Sequence, residues 1–147
     1  MLKEVFVNLD WILFFHFVGI IIGLGAVTVI DVMGFFSRRS KKKTQDTIAA
    51  HHTTKPLIWI GTIIILITWA IMTYGMKLEG PYLIKGILLA VMIVNGSVLS
   101  FHISPRLDKL IGKKVLLPKS LQIKIGASLI ISFISWWLFV ILTVWMI

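Results

Sequence analysis

Four long apolar segments, bounded by charges or prolines, constrain this chain more than any single motif. They run from about Trp11 to Phe36, from Leu57 to Gly75, from Pro81 to about Ser104 and from about Ser120 to Ile147. A helix needs about 20 predominantly apolar residues to cross a hydrocarbon core, and each segment is close to that length or longer. Of the 147 residues, 58% are hydrophobic, against about 45–50% in an ordinary soluble domain. Mean hydropathy is +0.97. A soluble core of this size could not bury so much apolar surface; a bilayer can. The expected fold is therefore all-α: an integral membrane up-down four-helix bundle forming a single domain over residues 1–147. The first apolar run is too long for a signal-peptide core and no small-residue cleavage site follows it, so it reads as a retained span.

The prolines support these boundaries. Pro56 and Pro81 stand at the first turns of the second and third spans, where a missing N–H costs little. Pro105 is expected to end the third span, and Pro118 precedes the fourth. The polar stretch from about Thr44 to Lys55 is compatible with a helical extension of the second span. Cysteine is absent, which excludes disulfides, iron–sulfur clusters, thiolate zinc sites and covalently attached c-type haem.

Net charge is +9, and it is concentrated in two connectors. One carries Arg38, Arg39, Lys41, Lys42, Lys43 and Lys55; the other carries Arg106, Lys109, Lys113, Lys114 and Lys119. The N-terminal tail has only Lys3, and the hairpin Met76 to Gly80 only Lys77. The positive-inside rule then predicts cytoplasmic basic connectors and both termini outside. No aromatic residues interleave with the basic ones, so nucleic acid is not an expected partner. The bilayer is.

Ionisable and amide groups inside spans are candidates for function. In the first span His16 lies roughly 9 Å below the outer edge, six residues past Asp10. Gly19, Gly23, Val27 and Asp31 fall within about 60° of it on a helical wheel, and Gly25 points the opposite way. Such a face suits either close helix packing through the GxxxG spacing or a histidine ligand beside a surface cleared for a flat macrocycle. In the third span Lys85 lies at a depth similar to that of His16. It either snorkels outward or faces His16. Asn95 is near mid-membrane and lies about 20° from His102 on the wheel. Asp31, His51, His52 and His102 all lie toward the basic connectors, where they could form a metal site or stand as separate interfacial groups. Ser128, Ser132 and Ser135, continued by Phe139, mark the packed face of the fourth span. No nucleophile–base pair, phosphate loop or HExxH motif is present.

Trp11-to-His16 (WILFFH), Lys55-to-Gly61 (KPLIWIG) and Tyr82-to-Gly86 (YLIKG) resemble helix starts in the HemJ-type protoporphyrinogen oxidase group. That resemblance implies haem b with His16 as a ligand and Lys85 as a functional or catalytic residue; on the helical wheel Gly19 and Gly23 would leave room for the cofactor, and Asn95 is a further candidate for its site. A histidine common in that group about ten residues after the lysine is replaced here by Asn95, and its asparagine–glutamate–proline motif near the fourth helix is absent. The chain more closely resembles a group of bacterial four-helix integral membrane proteins with an LHxxGxxxGxGGATxxD-like first span. The matching residues here are His16, Gly19, Gly23, Gly25, Ala26, Thr28 and Asp31, with Val94-Asn95-Gly96 in the third span. Copper-resistance D-type and cytochrome b561-type haem bundles are more distant analogues. Two expectations follow. The chain is either a b-type haem redox protein of the bacterial inner membrane, working with the quinone pool or a porphyrin substrate, or a small oligomeric transporter, channel or metal-binding subunit. A homo-oligomer suits both.

Overall fold

The computed structural model describes residues 2–37, 40–113 and 116–146, with side chains described from residue 9 onward. Arg38, Arg39 and Lys114, together with the Lys3 side chain and Ile147, lie outside that description. The described residues form helices joined by turns and short irregular connectors, with no strand among them. Helix α1 spans Leu2–Ser37 and α2 spans Lys41–Met72. Helix α3 runs continuously over Gly80–Asp108, and α4 spans Lys119–Trp145. All four are long and apolar enough to cross a membrane.

Three of these boundaries differ from the sequence expectation. Helix α2 begins well before Leu57. Ser40, in extended backbone, caps it by accepting the Lys43 N–H at 3.1 Å, and the Thr44 hydroxyl donates to Ser37 O at 3.0 Å. Pro56 therefore sits inside the helix rather than in its first turn. Helix α1 starts at Leu2, well before Trp11.

The third difference is at Pro105, which does not end α3. Residues Val98–Ile103 are π-helical, and the α-helix resumes over Ser104–Asp108. A proline ring crowds the preceding turn and offers no N–H. The wider π turn accommodates it.

Each helix contacts its neighbours in sequence order, α1 on α2, α2 on α3, α3 on α4 and α4 back on α1, with α1–α2 the most extensive pair. This is the up-down arrangement that short connections favour. Two apolar clusters fill it. The larger holds Ile20, Val27, Ile65, Leu89, Met92, Trp136 and Phe139; the smaller, at the basic-connector end, holds Ile48, Ile103, Leu107 and Leu121. Large apolar side chains such as Ile21, Val94 and Ile130 cover the outside. So much apolar perimeter is uncommon on soluble monomers.

Candidate functional site

Polar groups gather at two levels in the bundle, with the larger apolar cluster between them. The level nearer the termini is built on His16, which is completely buried. Its Nδ1 lies 2.7 Å from Thr68 Oγ1, and its Nε2 lies 3.5 Å from Lys85 Nζ. The Thr68 hydroxyl already donates to Ile64 O at 2.7 Å. A hydroxyl has one proton, so Thr68 must accept from His16, and the Nδ1 atom carries the hydrogen. The Nε2 lone pair is then free to accept from Lys85. The result is a one-directional chain from Lys85 through His16 and Thr68 to a backbone carbonyl.

Lys85, 4% exposed, faces inward rather than snorkelling. Its Nζ lies 4.8 Å from the centre of the Phe139 ring, the face a cation favours. No carboxylate among the described residues pairs with it. The expected match in depth between His16 and Lys85 is thus a direct contact.

The glycine face beside His16 is filled by the protein itself. A methyl group added at Gly61 of α2 would lie 2.6 Å from Gly23 N and 2.7 Å from Gly19 O. One added at Gly23 would collide with the Trp136 ring. The backbones of α1 and α2 cross here in direct contact, and Trp136, 2% exposed, seals the other side. A haem does not fit at this position. Both imidazole nitrogens are engaged, and the face that would take the macrocycle is occupied by Gly61 and Trp136. Gly19 and Gly23 are packing residues in this arrangement.

The second level lies near the basic connectors. A cavity of about 70 Å³ there is lined by Asp31, His51, Lys55, Trp59, Asn95 and Ser100, among others. That is far below the ~300–1,000 Å³ of pockets for drug-sized ligands, yet it has room for several waters. Asp31 is 9% exposed, and its Oδ2 is buried without a hydrogen-bond partner; the Nε2 atom of His51 is in the same condition. Unpaired buried polar atoms are costly and uncommon. Both belong to residues that line this one cavity, whose wall is otherwise largely apolar.

The π-helical stretch shapes this wall. The Ser104 N–H bonds to Leu99 O, five residues back. Pro105, next in line, has no N–H, so Ser100 O is left without a helical donor. Lys55 Nζ fills that role at 3.3 Å, and Trp59 Nε1 donates to Ser100 Oγ at 2.9 Å. A π turn within an α-helix is frequent at functional sites, and this one contributes Leu99, Ser100 and Ile103 to the cavity wall. Asn95 ties α3 to α4: its Nδ2 donates to Ser128 O at 3.0 Å, and Ser128 Oγ donates to Asn95 Oδ1 at 2.6 Å.

The anticipated set of Asp31, His51, His52 and His102 divides. Asp31 and His51 share the cavity. His52 is half exposed and lies 3.2 Å from Asp108, and exposed His102 lines a groove on the outer surface between α3 and α4. No group of three or more metal-ligating side chains occurs among the described residues.

Sequence reasoning missed Gly61, Thr68 and Lys55 as members of these centres. Gly61 and Thr68 stand seven residues apart, about 20° on a wheel, so a stripe of small residues was visible in α2. Comparisons with family models, curated proteins and solved structures find no match. The reading of the two centres therefore rests on their own geometry.

Proposed function

We propose that this protein spans the membrane four times, with its basic connectors in the cytoplasm, and handles protons as a small transporter or channel subunit. The connectors supply the orientation, since Lys and Arg are retained on the cytoplasmic side. The observation that carries the functional reading is the small cavity that Asp31 and His51 line together within a largely apolar wall, each residue keeping a buried polar atom without a partner. Carboxylate and imidazole groups inside spans characteristically form proton relays. A water-filled cavity open to them lets a proton move between acid and base without the side chains travelling.

The Lys85–His16–Thr68 chain forms a second protonatable centre. It lies roughly 22 Å from Asp31 along α1, at fifteen residues and 1.5 Å each. The layer of Ile65, Leu89, Trp136 and Phe139 separates the two and insulates one side from the other in this conformation. Proton passage then requires that layer to open.

The test is proton flux in liposomes containing the purified chain and a trapped pH-sensitive dye, under an imposed potential. The native chain should conduct protons above the lipid background, and Asp31→Asn should lose at least about tenfold. Background flux from the native chain under both polarities and across pH gradients would reject the reading.

A further inference from the structure

The groove that holds His102 is a broad indentation on the outside of the bundle, about 750 Å³, and the proton-handling reading makes no use of it. It runs between α3 and α4 from Ile87 to the level of His102 and Lys124. Its length is roughly 22 Å, from fifteen residues of α3, enough to take one acyl chain within a single leaflet of a ~30 Å hydrocarbon core. Ala90 and Ala127 keep it open, because no larger side chain stands at those positions on the two helices. Val91, Val94, Val98 and Ile131 make its walls apolar. Its floor is the Asn95–Ser128 pair, which also separates it from the cavity of Asp31 and His51.

The polarity is graded along its length. The end toward Ile87 is wholly apolar, while the other end carries exposed Lys124 and exposed His102. Arg106, Lys109 and Lys119 surround that end in the sequence. An apolar slot closed by cations is the complement of a molecule with a long chain and an anionic head. A second copy of this chain related by a two-fold axis would bring one basic rim against another.

We infer that the α3–α4 groove is a specific seat for an anionic phospholipid, its acyl chain between Ala90 and Ala127 and its phosphate at His102 and Lys124. Basic pockets between membrane helices on the cytoplasmic side bind such head groups, and each basic residue near the surface is worth about 1 kcal/mol, roughly five-fold in affinity. The inference rests on the membrane-spanning reading and is independent of proton handling.

The experiment uses the full chain in mixed micelles of equimolar phosphatidylglycerol and phosphatidylcholine, with retained lipids counted by native mass spectrometry. The native chain should keep phosphatidylglycerol over phosphatidylcholine by about five-fold or more. Lys124→Gln combined with His102→Gln should bring that ratio near one, and Ala127→Phe should reduce both adducts to the detergent background. These positions are exposed, and circular dichroism verifies that the variants remain helical. Equal retention of both lipids by the native chain, or an undiminished preference in the double variant, overturns the proposal. So does displacement of the lipid by an equimolar neutral isoprenoid quinone or by millimolar inorganic phosphate. Flotation of the same samples with liposomes reports membrane insertion separately, so a chain that inserts without lipid preference rejects the groove and leaves the membrane reading standing.

Discussion

Lys85 Nζ lies 3.5 Å from His16 Nε2, and no carboxylate among the described residues accompanies the pair. A lysine and a histidine buried together depend on the neutral imidazole acting as acceptor, which the Thr68 hydroxyl enforces from the opposite ring nitrogen. Thr68→Val should therefore destabilise the bundle by about 1–3 kcal/mol, the cost of a buried donor left unsatisfied. Thr68→Ser should restore most of it. Reversible unfolding in mixed detergent micelles measures both, and equal stability of all three proteins contradicts a stabilising His16–Thr68 hydrogen bond.

The crossing of α1 and α2 gives a sharper contrast. Gly61→Ala and Gly23→Ala each force a methyl group into backbone or into the buried Trp136 ring and should cost about 1–3 kcal/mol as overpacking. A methyl group at Gly25 would have nothing within 4 Å of it, so Gly25→Ala should leave stability unchanged or slightly raised. Thermal unfolding followed by circular dichroism ranks the three.

Asp31→Asn separates stability from function. Replacing a buried carboxyl group whose Oδ2 has no partner by an amide removes the cost of ionising it there, so the variant should be at least as stable as the native chain while losing proton flux. A variant that unfolds more readily would mean the carboxylate is structural.

Lys55→Met should cost about 1–3 kcal/mol by leaving Ser100 O without its donor. The same change in a Pro105→Ala background should cost less, because an alanine N–H at that position can serve the carbonyl. A double-mutant cycle reads the coupling, and a coupling of zero rejects the link between Lys55 and the π turn.

Asn95→Ala and Ser128→Ala should show a coupling energy of about 0.6–1.7 kcal/mol, the range for hydrogen bonds between membrane helices. Single and double variants unfolded under identical detergent conditions provide the measurement.

The four helices were legible because the hydrophobic runs are long and the breaks between them carry charge or proline. The shared level of Asp31 and His51 was also legible, since both lie toward the basic connector that joins the first two spans. A helical extension of α2 from about Thr44 was legible, but its exact start was not, because the lysines before Thr44 read as connector although Ser40 caps a helix there. Pro105 read as a terminator because a wheel has no means of representing a π turn. The His16 face shows the deeper limit. A wheel gave His16, Gly19 and Gly23 one direction, and the structure agrees, but direction does not reveal what stands opposite. That was decided by Gly61 and Trp136, on two other helices. His102 failed for a related reason: it does share the α3–α4 groove with Asn95, but at its own level that direction leads outward.

The crossing at Gly61 has a mechanical consequence. Two main chains in direct contact have no layer of side chains to deform, so α1 and α2 cannot slide along each other without collision. They can only tilt about the point where they touch. A helix movement that opens the layer between the two polar levels would then leave this stiff pair in place and shift α3 and α4 against it.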